Sequence, residues 1–334
     1  MTIVRLYNIF QLLTLFACMT IQATHKHTII IAPKTIIPLA ASNLTIKQPP
    51  NILSQEHFLN HTIIQAATND GFSITGKFYH RNSKTLLIIG QGFLSPQEDL
   101  IDIVKTFNDY DILTFDYRWH NNDAFFSLIQ HPYKNLLTAC AQDVDTIINA
   151  CLKQSPTNYT HIVGIGLCYS CYTFLKAHTQ QPLFTHLILD SCWPTLDAFM
   201  ENLIKDPWLS RNPQQGGTSP FFKQILTNPM VHFCLKKICS FLLPGTESTL
   251  ILLKEITIPV LFIYGKNDQL VNANNFYLLW KTTQTRFKAA YLNSYQHTNT
   301  AYQNPHLYKQ ICTLFFTHKT LTAFNAAIRK LPQT

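Results

Sequence analysis

Two kinds of apolar pattern alternate along the chain from about residue 70 to residue 318. Short aliphatic or β-branched runs predict strands at Gly71–Tyr79, Lys84–Gly90, Asp111–Tyr117, Ile162–Leu167, Phe184–Asp190, Ile258–Tyr264 and Phe287–Leu292. The run Leu86-Leu87-Ile88-Ile89 has no polar face, as expected of a strand covered on both sides. Apolar residues at helical spacing predict helices between them. They fall over Gln97–Asn108 (Leu100, Ile101, Val104, Phe107), Leu136–Leu152 (Leu137, Val144, Ile147, Ile148), Tyr169–His178, Asn274–Trp280 and Pro305–His318. Strands alternating with helices imply an α/β fold, with a mostly parallel sheet covered by helices on both faces.

Two stretches break the alternation. Residues 24–65 carry β-branched runs interrupted by Pro33, Pro38, Pro49 and Pro50, and read as an extended segment with one or two edge strands. A long insertion, about 193–255, has helical patches such as Phe221–Leu226 and Val231–Leu243 but no strand signal. No linker composition bounds it, so it is expected to be a lid on a single domain spanning 24–334.

Charge and composition narrow the picture. Hydrophobic residues make up 46% of the 334 and charged residues only 13%, enough apolar surface for a large core. The net charge of +8 is spread thinly, without the clustered Lys/Arg and interleaved aromatics of a nucleic-acid groove. Arg5 is the only charge in the first 23 residues, Ile9–Thr20 is mainly apolar, and Ile21-Gln22-Ala23 resembles a cleavage site. Residues 1–23 therefore read as an export signal, which implies a periplasmic or secreted protein. Leu15-Phe16-Ala17-Cys18 resembles a bacterial lipobox, so lipid anchoring at Cys18 is a second reading. Membrane association is expected only through such a lipid or an uncleaved signal. Removing the signal would leave eight of the nine cysteines, with spacing too irregular for a disulfide scaffold.

The chemistry concentrates at His161–Cys171. The apolar run Ile162–Leu167 ends in Cys168, and a helical segment starts at once. A nucleophile would thus sit on a sharp strand-to-helix turn, lifted clear of the sheet, with a helix N-terminus behind it. Gly166 and Ser170, two residues either side, leave the room such a turn needs. Downstream, Gly265-Lys266-Asn267-Asp268 follows a late strand, and Gln296-His297-Thr298 follows the last one. Open parallel sheets place their sites at these carboxyl ends.

Gly166-Leu167-Cys168-Tyr169-Ser170 resembles the G-x-S-x-G elbow of the α/β-hydrolases, in the neighbourhood of the serine aminopeptidase-like and dienelactone hydrolase-like members. The resemblance covers about residues 70 to 320. It implies a three-layer fold with an inserted helical lid, and a triad of Cys168 as nucleophile, Asp268 as acid and His297 as base. Asp190 also ends a strand and is a rival acid. The oxyanion hole would use the backbone N–H groups of Tyr169 and of Phe93, in the Gln91-Gly92-Phe93 loop where the family often has His-Gly. Departures are Cys for Ser at the nucleophile, Ser170 for the closing Gly, and Trp119 for Gly in Asp116-Tyr117-Arg118-Trp119-His120. The implied activity is acyl transfer on a small-molecule ester, lactone, thioester or amide, with no cofactor and no metal. Trp193, Phe199, Trp208 and Phe221 in the insertion would favour an apolar group. Two other readings stand beside it. One is a non-catalytic binding protein on the same fold; the other is a hydrolase under redox control through the Cys168/Cys171 pair. Oligomeric state is left open by the sequence.

Overall fold

The computed structural model describes residues 60–92, 95, 97–118, 136–205 and 248–331. The expected export signal, Cys18, Phe93, Trp119, His120 and residues 206–247 with Trp208 and Phe221 lie outside the described residues.

Eight strands form one sheet: β1 (Thr62–Ala67), β2 (Ser73–Tyr79), β3 (Thr85–Gly90), β4 (Asp111–Phe115), β5 (His161–Leu167), β6 (His186–Asp190), β7 (Val260–Gly265) and β8 (Lys288–Asn293). Their order is β1-β2-β4-β3-β5-β6-β7-β8. β2 runs antiparallel to both β1 and β4, and every other pair is parallel. The helices are α1 (Ile101–Thr106), α2 (Leu136–Gln154), α3 (Tyr169–Gln180), α4 (Leu196–Lys205), α5 (Thr249–Glu255), α6 (Ala273–Thr282), α7 (Thr300–Gln303), α8 (Pro305–Thr317) and α9 (Leu321–Ile328), with a 3-10 turn at Gln97–Leu100 before α1.

Side-chain alternation along the strands divides the core in two. Leu86, Ile88, Leu113 and Phe115 pack with Val144 and Ile148 of α2 and Phe174 of α3. Leu87, Ile89, Val163 and Ile165 pack with Val104 of α1 and Ile311 and Phe315 of α8. β3, β4 and β7 are buried at every position, which explains why they are largely apolar, with Thr85, Asp111 and Thr114 as buried polar exceptions. β1 differs. Only Ile64 is buried along it, as suits an edge strand with one covered face.

The glycines of β5 let α3 approach the sheet. A Cβ on Gly164 would meet Phe174 of α3 at 3.1 Å, as well as Leu187 at 2.9 Å and Phe184 at 3.0 Å. In the expected insertion, Trp193 stacks on Tyr172 with ring centroids 5.4 Å apart. Trp193, Phe199 and, at the far end of this stretch, Leu252 and Leu253 are all buried in the larger core cluster.

The expected helix over Gln97–Asn108 starts as the 3-10 turn and ends at Thr106, two residues early. Gln97 is held there by Asp116, whose carboxylate accepts from the Gln97 backbone N–H at 2.9 Å and its side-chain amide at 2.6 Å. Short α7 and α9 have no counterpart among the expected helices.

Candidate active site

Parallel register brings five strand ends, those of β3, β5, β6, β7 and β8, to one edge of the sheet. Gly90 pairs with Gly166, Leu167 with Asp190, Asp190 with Ile263, and Gly265 with Asn293. Cys168, Asp190, Asp268 and His297 all lie at or just beyond these ends.

Cys168 sits between β5 and α3 with φ 50° and ψ −102°. A non-glycine residue in this left-handed region is strained and persists only where its surroundings hold it. Here the Cys168 N–H donates to the Asp190 carbonyl at 2.8 Å, and the Cys168 carbonyl accepts from the Cys171 N–H at 3.2 Å. Gly166 must lack a side chain, since a Cβ would lie 2.8 Å from the Cys171 nitrogen and 2.9 Å from the Ser170 carbonyl carbon. The Cys168 side chain is only 4% exposed.

Asp268 lies in the turn after β7, its N–H bonded to the Gly265 carbonyl at 2.9 Å. One carboxylate oxygen accepts from the backbone N–H groups of Leu270 (2.9 Å) and Val271 (2.8 Å). The other faces His297 Nδ1 at 2.8 Å. A carboxylate can only accept, so Nδ1 carries the proton and Nε2 of the neutral ring is left as the basic atom. Nε2 is buried, and no regular hydrogen bond joins it to the Cys168 thiol. Burial alone would lower the His297 pKa, but Cys168 and Asp268 outweigh it and hold the ring well above the ordinary imidazole value.

Asp190 takes a different place. It is buried, one oxygen accepts from the Ser191 hydroxyl at 3.1 Å, and the other has no regular partner. Burial pushes its pKa up to about 7, with Asp268 adding to the rise while Ser191, His297 and the Tyr308 hydroxyl oppose it. Between the two candidate acids, it is Asp268 that meets the imidazole. Ser191 itself bridges. It donates to Asp190 and accepts from the Thr298 N–H at 2.9 Å, next to His297. Ser191 and Thr298 both have left-handed φ, 57° and 49°. Nothing in the sequence marks Ser191 for this role, because its partner lies 107 residues away.

Tyr169 is the first residue of α3, directly after Cys168. Its ring packs edge-on against Tyr117 at 5.4 Å. Phe93 lies outside the described residues, but Gly92 is beside the sulfur residue. A Cβ on Gly92 would be 3.8 Å from Cys168 Cβ. Cys171 turns away into the interior, where its thiol donates to the Gly166 carbonyl at 3.0 Å and the Asp190 carbonyl at 3.4 Å. Burial and Cys192 push its pKa well above the ordinary thiol value, leaving little thiolate for redox chemistry. Cys168, Cys171 and Cys192 are all unbridged. Among the described residues no group of three His, Cys, Asp or Glu side chains could hold a metal ion.

No protein-family profile matches the sequence, and no curated protein sequence matches it. Solved structures do match. The esterase Pf2001 of Pyrococcus furiosus superposes with TM-score 0.59 and 15% identity, covering 84% of this chain and 95% of the esterase. An esterase from Exiguobacterium antarcticum gives TM-score 0.53 and 16% identity over 76% of this chain and 99% of its own. The acylaminoacyl peptidase of Pyrococcus horikoshii gives 0.53 and 15% over 78% of this chain and 41% of the peptidase. The protein has the α/β-hydrolase fold.

Against the α/β-hydrolase pattern, Asp116 and Arg118 make structural contacts. Asp116 holds Gln97, while buried Arg118 pairs with Asp143 at 2.6 Å and with Asp70 at 2.5 Å. Ser170, in place of the closing glycine, fits because Gly90 opposite it has no side chain. A Cβ on Gly90 would come within 2.5 Å of the Ser170 Cβ. The space usually left at the elbow is here left on the neighbouring strand.

Proposed function

We propose that the protein is a hydrolase that cleaves an ester, lactone, thioester or small amide by acyl transfer through Cys168, His297 and Asp268. One observation carries this reading: a strained Cys at a strand-to-helix elbow shares one edge of the sheet with a part-buried imidazole whose Nδ1 lies 2.8 Å from Asp268. Esterases and an acylaminoacyl peptidase among the similar structures support the reaction class.

In this reading His297 Nε2 takes the thiol proton as the sulfur attacks the substrate carbonyl carbon. A C–S bond forms, and the carbonyl π pair moves onto oxygen. The backbone N–H of Tyr169 stabilises that oxyanion, with a second donor from the loop after β3, where the sequence points to Phe93. The oxyanion collapses, the bond to the leaving group breaks, and imidazolium delivers its proton to that group. Water, deprotonated by His297, then attacks the thioester, releases the acid and restores the thiol. Asp268 fixes the imidazole tautomer and stabilises the imidazolium throughout.

The test is hydrolysis of short- and medium-chain aryl esters together with intact mass under reducing conditions. Wild type should turn over and carry an acyl adduct on Cys168, and Cys168→Ala and His297→Ala should lose turnover. Turnover that survives Cys168→Ala would refute the triad. A folded wild type with neither turnover nor adduct would instead support a binding protein.

A further inference from the structure

Ser170 occupies the position that closes the elbow, and its hydroxyl is wholly buried. It lies 2.5 Å from the carbonyl oxygen of Gln91, in the loop after β3. A carbonyl has no proton to give, so Ser170 donates. Tyr117 OH is 2.8 Å from the same Ser170 oxygen, whose proton is already committed, so Tyr117 donates to Ser170. Thr173 Oγ1 lies 2.6 Å from Tyr117 OH and 3.2 Å from the Ser170 carbonyl, so its one proton is shared between the two. The three hydroxyls therefore form one network that links Thr173, Tyr117 and Ser170 and ends on the Gln91 carbonyl. Gln91, Ser170 and Thr173 are fully buried and Tyr117 is 1% exposed, so water does not compete. Linked hydroxyls in such surroundings polarise one another and hold their acceptor firmly. The peptide they hold leads into Gly92, which lies against Cys168.

We propose that Ser170 is a positioning residue: its hydroxyl, ending the Thr173–Tyr117–Ser170 chain, fixes the Gln91–Gly92 peptide beside Cys168 and so sets the geometry of the oxyanion site. The proposal rests on the acyl-transfer reading above. It also explains a departure from the family pattern. A glycine at 170 would relieve crowding at the elbow but would remove the Ser170 hydroxyl from the Gln91 carbonyl.

The experiment compares wild type with Ser170→Ala, Ser170→Gly and Tyr117→Phe. It measures kcat and KM on an aryl ester, and inhibition by butanal and by butanol. Butanal adds to a thiol at its carbonyl carbon to give a thiohemiacetal, whose oxygen occupies the oxyanion position; butanol cannot. Loss of a whole oxyanion donor costs about 100- to 1,000-fold in kcat. A displaced donor should cost less, about 10-fold or more for both Ser170 variants and roughly 3-fold for Tyr117→Phe, which leaves Ser170 its own bond. KM and butanol inhibition should stay within about 2-fold, while butanal inhibition weakens in step with kcat. Ser170→Gly, which restores the family residue, should be as impaired as Ser170→Ala.

Folded Ser170 variants with wild-type kcat would overturn the proposal while leaving the triad reading intact. So would equal changes in butanal and butanol inhibition, which mark general loosening. If the Ser170 variants fail to fold, the same selective loss in Tyr117→Phe supports the proposal, and its absence overturns it. If wild type neither hydrolyses ester nor forms a butanal adduct, the acyl-transfer reading falls and takes the proposal with it.

Discussion

Asp190 offers a sharp test of the electrostatics at the strand ends. Its pKa of about 7 exceeds the ordinary carboxyl value of 3.8 by about 3 units, chiefly because the group is buried. The folded state therefore holds the Asp190 proton more tightly than the unfolded chain does. For a group raised on folding, the favourable contribution is complete below the unfolded pKa and falls as pH climbs to the folded one. Asp190 thus makes the protein less stable between about pH 4 and pH 7, by at most about 4 kcal/mol at 1.36 kcal/mol per unit. Asp190→Asn removes the titration but keeps the shape and an oxygen to accept from Ser191.

The assay is urea unfolding of both proteins at pH 5, 6, 7 and 8. The Asp190→Asn variant will carry some constant offset, which is irrelevant. What matters is that the stability of the variant relative to wild type should improve by about 2 kcal/mol from pH 5 to pH 7 and then level off. His297, Asp268 and Tyr308 remain in both proteins, so their own titrations largely cancel. Parallel pH profiles would refute the reasoning. They would mean that Asp190 is ionised in the fold at pH 5, and hence that water or a cation reaches it.

Gly166→Ala would place a Cβ against backbone atoms of the elbow, 2.8 Å from the Cys171 nitrogen. It should cost about 2–3 kcal/mol in urea unfolding and most of the esterase turnover, and full retention of both would show that the elbow is slack. Asp143→Asn strips the principal counter-ion from Arg118, whose side chain is 1% exposed. A loss of about 3 kcal/mol is expected at unchanged denaturant m-value, and a loss below about 1 kcal/mol would show that Asp70 suffices alone. Cys171→Ala should keep ester hydrolysis and leave its response to dithiothreitol unchanged. A wild-type activation by reductant that vanishes in this variant would restore the redox reading.

Those tests bear on positions of very different legibility. β3, β5 and β7 could be read from the sequence because a parallel strand covered on both faces must be apolar throughout. The elbow was legible for a related reason: apolar run, reactive residue and helix pattern follow one another without a gap, and Gly166 stands where backbone approaches within contact. Asp268 and His297 were legible as residues after strands. Their pairing was legible only through the family resemblance, with Asp190 left as a rival. Asp190 ends a strand just as Asp268 follows one, and only the fold decides which carboxylate comes to 2.8 Å from His297 Nδ1. β1 was blurred into a longer extended segment because a strand with one buried side chain has almost no pattern to show.

The hydroxyl chain behind the elbow was out of reach altogether. Its hydrogen bonds join residues 53, 56 and 79 positions apart, through side-chain types that are common on any surface. What the sequence did show was an exception: serine where glycine closes the family motif. An exception of this kind has two physical outcomes. Either the turn relaxes and the site decays, or a neighbour yields the missing space and the new side chain takes up work. Gly90 yields the space, and the Ser170 hydroxyl reaches the loop beside Cys168. The departure therefore argues for a maintained elbow, because a decaying one has no need for a buried donor aimed at the loop beside its cysteine.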